Sequence, residues 1–193
     1  MQTLEPKRLF FALWPDDTMR ARVAELADAL FKRRGLSGHP SRQRLYHLTL
    51  NFLGDAVPAP IEASAHKIAA RIEAPPFILR LDKAGSFNNP QIPIWLGPSA
   101  PSAELKHLDQ ILRRTLKGLP VGPTPGFKPH ITIMRDANRR LRDEMVEPVE
   151  WSVGEFVLIH SFRDKGQFQY QVLERYPLRG APLKPEPKQA ELF

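Results

Sequence analysis

The feature that most constrains the fold of this chain is a short internal repeat. When the 193-residue sequence is compared with itself at an offset of 83 positions, seven of the 43 residues in 8–50 are identical to their counterparts in 91–133. The matches fall where a strand ends, where a helix stops and where a later strand begins. They pair Leu13 with Leu96, Pro15 with Pro98, Gly35 with Gly118, Leu36 with Leu119, Pro40 with Pro123, His47 with His130 and Thr49 with Thr132. Coincidence is the alternative, but the placement favours two related strand–helix–loop–strand units that face each other across a pseudo-twofold axis.

Apolar periodicity predicts both strands and helices along the chain. Short apolar runs predict strands at 8–14, 45–53, 77–81, 92–96, 130–134, 156–162 and 169–173. Apolar residues spaced by three and four predict helices that begin at 16–17 and end at Gly35, and that span 61–72 and 105–112. Because many of the strands are joined by short turns, the pattern predicts an α+β fold rather than a doubly wound sheet.

Length and composition are typical of one globular domain. A chain with 42% hydrophobic residues can bury a substantial core, so we expect a single bilobal domain over 1–180. The segment 181–193 mixes prolines with charged residues, and we expect it to be a disordered tail. Cysteine is absent, which excludes disulfides and thiolate metal sites. Since there is neither a secretory signal nor a membrane-length apolar stretch, we expect a cytoplasmic protein that does not enter a membrane.

An excess of positive charge indicates a polyanionic partner. The formal net charge is +7 at pH 7, and the segment 32–44 carries five basic residues without an acidic one: Lys32, Arg33, Arg34, Arg42 and Arg44. Neutralising phosphates releases counterions, so such a run favours nucleic acid. The alternative is a solvated helix end followed by a loop.

The repeat places the same short motif, His-x-Thr, on a predicted strand in each half. The motifs are formed by His47 with Thr49 and by His130 with Thr132. Because strand side chains alternate, each histidine shares a face with its threonine while the aliphatic neighbours face the core. Two imidazoles in one cavity suit in-line phosphoryl transfer, since one can accept a proton from the attacking oxygen and the other can protonate the leaving oxygen. The threonine hydroxyls and Arg135 can bind the non-bridging phosphate oxygens.

Two alternatives compete with catalysis at these motifs. A single His-x-Thr on a strand is usually a half-buried structural pair, but two copies at equivalent places in a repeat favour function. Zinc is the other alternative, because histidine is a frequent zinc ligand. Neither motif has a neighbouring carboxylate or thiolate to complete a tetrahedral set, as Asp55 lies eight residues beyond His47. We therefore expect neither a metal nor a cofactor.

The motifs and their flanks resemble the 2H phosphoesterases, in particular the LigT or ThpR branch. These are RNA 2′,3′-cyclic phosphodiesterases, also called 2′-5′ RNA ligases. The resemblance extends from Arg8 to about Leu178. It includes the opening RLFFALWP, the first motif with its extension HLTLNFLG, the second motif KPHITIMR, and the final segments YQVL and YPL.

The resemblance implies a bilobal α+β fold in which two antiparallel sheets flank a central cleft and the helices lie outside. It implies metal-independent opening of a terminal ribose 2′,3′-cyclic phosphate to a 2′-phosphate, and in some members reversible 2′-5′ joining of RNA ends. Carried over by position, His47 is the proton donor and His130 the proton acceptor. Thr49, Thr132 and Arg135 then bind the phosphate.

The substrate is less constrained than the site. Candidates for stacking a terminal base are Tyr46 and Phe127, whereas Phe11 is more typical of the core. One alternative function is a phosphodiesterase for small cyclic nucleotides or ADP-ribose cyclic phosphate. Another is a binding module that holds RNA ends without turning them over. We expect a monomer whose partner is RNA with a terminal 2′,3′-cyclic phosphate.

Overall fold

The computed structural model describes residues 5–119 and 126–183, and within these ranges it contains nine strands and three helices. In chain order they are β1 (Lys7–Leu13), α1 (Asp17–Arg34), β2 (His39–Pro40), β3 (Leu48–Val57), α2 (Ala59–Ala69), β4 (Phe77–Ser86), β5 (Ile94–Gly97), α3 (Ala103–Leu116), β6 (Ile131–Arg135), β7 (Glu144–Val153), β8 (Glu155–Asp164) and β9 (Gln167–Pro177). From residue 184 onwards, the tail predicted over 181–193 lies outside the described residues.

The strands form two antiparallel sheets of matching order. The first sheet is ordered β3-β1-β8-β9, and the second is ordered β2-β6-β5-β4-β7. Apart from the short edge strand β2, the order is the same in both, with β3, β1, β8 and β9 corresponding to β6, β5, β4 and β7. The α+β class with two antiparallel sheets is therefore confirmed.

The correspondence between the two sheets extends to single residues. Ala12 lies opposite Thr49 in the first sheet, and Trp95 lies opposite Thr132 in the second. The next pairs in the two ladders are Phe11 with Asn51 and Ile94 with Met134, so each ladder contains a bulge directly after its threonine. Each of these four residues in the first sheet is separated by 83 positions along the chain from its counterpart in the second sheet. A bulge bends and twists its strand, and here it does so beside both motifs.

Local signals explain why α1 begins and ends where it does. The carboxylate of Asp16 accepts a hydrogen bond from the backbone N–H of Met19 at 2.7 Å, which caps the first turn. Gly35 ends the helix in the left-handed conformation, at a φ of 55°. The boundaries predicted from these residues are confirmed.

The larger hydrophobic core joins both sheets and all three helices. Leu9, Phe11 and Leu13 of β1 pack in it, together with residues such as Val23 of α1 and Leu108 of α3. The alternate β1 residues face the other way. A second, smaller cluster covers that other face of the first sheet and consists of Phe10, Ala12, Val157 and Ile159. Among the described residues, no helix has the length and apolar character to cross a bilayer.

Two strand predictions need correction. The predicted strand 45–53 starts later, because Gln43–Leu45 forms a 3-10 turn, and His47 directly precedes β3. His130 likewise directly precedes β6 rather than lying in it. Strand β7 was not predicted at all, since Pro148 interrupts it and its buried residues change phase between Val146 and Val149.

Candidate active site

Each of the two histidines makes the same kind of hydrogen bond to the backbone. Nδ1 of His47 lies 2.7 Å from the carbonyl oxygen of Leu45, and Nδ1 of His130 lies 2.7 Å from that of Lys128. A carbonyl oxygen can only accept, so Nδ1 carries the proton in both rings. The neutral imidazole then presents Nε2 as its unprotonated nitrogen. Each histidine can thus accept or return a proton at Nε2.

The predicted phosphate-binding residues flank these imidazoles. Thr49 and Thr132 are half-buried, two residues beyond their histidines and directly before the bulges. Arg135 is the exposed last residue of β6 and lies opposite His39 of β2. The chain thus places one imidazole and one hydroxyl at the same point of each sheet, with a guanidinium on the second sheet.

Electrostatic interactions show that the two halves of the site meet. Burial, together with the weaker effects of the nearby charges of His130, Arg135 and Arg20, lowers the pKa of His47 to about 4, against the opposing effect of the hydrogen bond to the Leu45 carbonyl. Burial also lowers the pKa of His130, and Lys128 and Arg135 act in the same direction. His47 directly precedes a strand of the first sheet and Arg135 ends a strand of the second, so these residues of the two sheets lie within electrostatic range of each other.

Aromatic rings surround His47 on its sheet. The ring centroids of Phe10 and Tyr170 each lie 5.1 Å from that of His47, and Tyr170 presents its ring at an interplanar angle of 89°. Trp14 lies 6.4 Å away at 30°. The sequence prediction missed these aromatic neighbours of His47. The alternation of β1 places Phe10 on the face opposite Phe11, and this alternation could have predicted the position of Phe10. Tyr170 of β9 could not be predicted in this way, because only the sheet pairing brings it near His47.

His130 has an aromatic neighbour of its own. The ring of Phe87, which follows β4, meets the His130 ring edge-on at a centroid distance of 4.7 Å. Phe87 in turn lies 5.8 Å from Trp95, which is buried opposite Thr132. The sequence prediction did not single out either ring, because neither lies close to His130 along the chain.

Comparison with known proteins identifies the family. The 2′-5′ RNA ligase superfamily matches residues 15–165. The chain belongs to this superfamily.

Relatives cover nearly the whole of this member of the superfamily. The RNA 2′,3′-cyclic phosphodiesterase of Escherichia coli (strain K12) is 34% identical over 180 residues, which span 90% of this chain and 98% of the relative. The RNA 2′,3′-cyclic phosphodiesterase of Thermus thermophilus is 33% identical over 189 residues, or 90% of this chain and 91% of the relative. The crystal structure of E. coli LigT in its apo form has a TM-score of 0.79 at 33% identity, covering 91% of this chain and 99% of that one.

The prediction that Tyr46 stacks on a terminal base needs correction. Tyr46 is only 4% exposed and packs in the larger core, and burial raises the pKa of its hydroxyl to about 12. It therefore offers no open face to a base. Phe11 is fully buried, as expected for a core residue. Phe127 is partly buried against the core, and its role in stacking stays a prediction.

The basic segment 32–44 divides between two surfaces. Arg33 and Arg34, in the last turn of α1, both pair with Glu144 at the start of β7, at 2.8 and 2.5 Å. The remaining two arginines of the segment contact β9 instead. Arg42 donates to Gln167 at 2.7 Å and Arg44 donates to Gln169 at 2.6 Å, both on β9, the strand that also carries Tyr170. Only the second pair is thus associated with the strand that lines the site.

In the part of the chain that the structure describes, the side chains around the two histidines do not form a metal site. Within residues 5–119 and 126–183, no group of three or more histidine, aspartate or glutamate side chains is arranged to hold a metal ion. The charged residues that bear on the two imidazoles are cations instead.

The position of His130 depends on a glycine. A Cβ at Gly97 would lie 2.6 Å from the carbonyl oxygen of Pro129 and 3.6 Å from the Cα of His130, so only glycine allows this close approach of β5. We predict that Gly97→Ala displaces His130 and lowers kcat about tenfold or more, because small displacements of a reacting group are costly. Steady-state kinetics on a cyclic phosphate substrate measures the effect. Gly154→Ala is the matched control, since its Cβ would meet nothing within 4 Å. An unchanged kcat in Gly97→Ala would contradict the prediction.

Proposed function

We propose that this protein hydrolyses the terminal 2′,3′-cyclic phosphate of RNA to a 2′-phosphate, using His47 and His130 as an acid–base pair without a metal. The observation that carries the proposal is the pair of equivalent imidazoles, each fixed through Nδ1 and each with Nε2 unprotonated. The names of the E. coli and Thermus relatives, both RNA 2′,3′-cyclic phosphodiesterases, support the choice of substrate.

The reaction needs two proton transfers on opposite sides of one phosphorus atom. In the proposed scheme Nε2 of His130 accepts a proton from water as its oxygen attacks phosphorus. The bond between phosphorus and O3′ breaks, and Nε2 of His47 donates its proton to O3′, so that the phosphate stays on O2′. Arg135, Thr49 and Thr132 bind the non-bridging oxygens, where negative charge accumulates. If a 5′-hydroxyl replaces water as the nucleophile, the same steps form a 2′-5′ linkage, which accounts for reversible ligation.

The division of roles between the histidines stays a prediction, because their hydrogen bonds are equivalent. Burial and neighbouring cations lower the pKa of both imidazoles, so both are neutral at pH 7 in the free protein. The acid must therefore gain its proton as substrate binds. A phosphate anion between the rings favours that protonation, since an opposite charge stabilises an imidazolium.

We favour hydrolysis of an RNA substrate over the two alternatives, which are hydrolysis of small cyclic nucleotides and binding of RNA ends without turnover. Both histidines and both threonines are present, which favours catalysis over mere binding. Arg42 and Arg44, close to β9, supply charge for a chain longer than one nucleotide. That the protein acts as a monomer in the cytoplasm stays a prediction.

The first test uses a short RNA that ends in a 2′,3′-cyclic phosphate, incubated in EDTA. We expect full activity and a product that carries only a 2′-phosphate. His47→Ala and His130→Ala should each lower kcat by about 10²–10⁴-fold, as expected for loss of a general acid or base. Mass spectrometry with phosphatase mapping identifies the product. His107→Ala, on α3, is the matched control.

Three results would contradict the proposal: a 3′-phosphate product, loss of activity in EDTA, or an unchanged rate in either histidine variant. Comparison with a nucleoside 2′,3′-cyclic phosphate tests the RNA preference, because equal kcat/KM values would favour the small-nucleotide alternative. A substrate with sulfur in place of O3′ separates the roles. Sulfur leaves without protonation, so this substrate should restore the rate of the His47 variant alone.

The pH dependence follows from the lowered pKa values. The base must be neutral and the acid protonated, so kcat/KM rises through the pKa of the base and falls through the pKa of the acid. Both pKa values in the free protein lie below the ordinary value of about 6.5. We therefore predict that kcat/KM is greatest below pH 6.5 and falls by about tenfold per pH unit above neutrality. A kcat/KM that keeps rising between pH 7 and 9 would contradict this prediction.

A further inference from the structure

A buried cation lies behind His47. Arg20, in the first turns of α1, is only 8% exposed, and its guanidinium carbon lies 4.5 Å from the centroid of the Trp14 ring. One nitrogen, Nη1, donates to Asp17 at 3.1 Å, while Nε and Nη2 are buried without a hydrogen-bond partner among the described residues. A guanidinium left partly unpaired inside a protein is costly. Its retention here therefore calls for a role beyond packing.

A second cation, Lys128, lies over the aromatic neighbour of His130, although Lys128 is exposed whereas Arg20 is buried. The Nζ of Lys128 lies 4.9 Å from the ring centroids of both Phe87 and Trp95. Phe87 is the ring that meets His130 edge-on, as Trp14 is one of the rings beside His47. Each histidine thus has an aromatic neighbour that carries a cation on its face. Such cation–ring contacts hold both partners in place.

The two arrangements are not copies of each other in sequence. At the offset of 83, the counterpart of Arg20 is Ala103 and the counterpart of Lys128 is Leu45. Phe87 precedes the second repeat unit altogether. The internal repeat therefore does not explain the likeness. A cation over an aromatic ring thus lies beside each histidine at sequence positions that the repeat does not relate, which favours a functional requirement at both histidines.

We propose that Arg20 and Lys128 are positioning residues, one for each histidine. Each holds an aromatic ring against its imidazole and keeps that imidazole uncharged until an anionic phosphate enters the cleft. This inference rests on the proposed function, because it assigns these cations to the same acid–base pair. Neither residue needs to touch the substrate.

The other groups facing the histidines act together with these cations. His47 is faced by Arg135 and His130 across the cleft and by the Tyr170 ring on its own sheet, while Arg20 adds its charge from α1. His130 is faced by Arg135 and Lys128. Arg135 acts on both histidines, whereas Arg20 acts on His47 and Lys128 acts on His130. This separation makes the proposal testable one histidine at a time.

The test is a crossed titration of the imidazole Cε1 protons by NMR in the free protein. We expect Arg20→Gln to raise the pKa of His47 and leave that of His130 unchanged, and Lys128→Gln to do the reverse. Arg22→Gln, an exposed residue on the same helix, and Lys106→Gln, exposed on α3, make the same change of charge as controls. Because no substrate is present, the result does not depend on the proposed reaction.

Kinetics then distinguishes positioning from substrate binding. On the cyclic phosphate RNA, we expect Arg20→Gln and Lys128→Gln each to lower kcat about tenfold with little change in KM, since the imidazole is less well held. Arg20→Lys, which keeps the charge, should keep the pKa of His47 low. If Arg20→Gln does not fold, Arg20→Lys and Lys128→Gln replace it as the variants that test the proposal.

Three outcomes would overturn the proposal. Unchanged histidine pKa values in both glutamine variants would show that the cations do not act on the imidazoles. Equal shifts of both histidines in either variant would show a general field rather than a dedicated partner. A rise in KM alone would make Arg20 or Lys128 a substrate-binding residue. Failure of the RNA assay with the titration intact would instead count against the proposed function.

Discussion

The site depends on one hydrogen bond, made twice: from Nδ1 of a histidine to the carbonyl oxygen two residues earlier. The bond fixes the ring orientation and the tautomer together, because the carbonyl can only accept. It is possible because each histidine directly precedes its strand rather than lying within it. The backbone before the strand can then turn its carbonyl toward the ring. Every chemical step proposed above uses the Nε2 atom that this bond leaves unprotonated.

The second constraint is the pseudo-twofold arrangement of the two sheets. Equivalent strands, equivalent pairings and equivalent bulges place one imidazole and one hydroxyl at the same point of each sheet. Two similar groups on opposite sides of a phosphorus atom suit an in-line displacement, in which one oxygen enters as another leaves. The surrounding cations complete the arrangement. They add to burial, the larger effect, in lowering the pKa of both imidazoles, and they provide the charge that an anionic substrate can balance.

Much of the fold could be predicted from the sequence because its signals are local. The N-cap at Asp16, the stop at Gly35 and the spacing of apolar residues defined α1, and the two His-x-Thr motifs at one offset indicated the paired site. Strand β7 escaped prediction because a proline breaks its alternation. Apart from the repeat at an offset of 83, the prediction could use only relations between neighbours along the chain.

The surroundings of the site could not be predicted for that reason. Tyr46 is next to His47 in sequence, yet its side chain packs in the core, since neighbouring side chains in extended backbone point to opposite sides. The rings that do contact His47 include Tyr170, which only the pairing of β8 with β9 and of β1 with β8 brings near. Arg20 reaches the site from a helix, where its polar character predicts an exposed face. Such contacts depend on tertiary structure.

The most direct test of the paired acid–base site is the tautomer of the two histidines, measured by ¹⁵N NMR of the imidazoles at neutral pH. We expect Nδ1 to carry the proton in both His47 and His130, and a bound nucleoside 2′-phosphate to shift the Nε2 signals of both rings. A proton on Nε2 in either free histidine, or a 2′-phosphate that perturbs only one of the two rings, would contradict this arrangement.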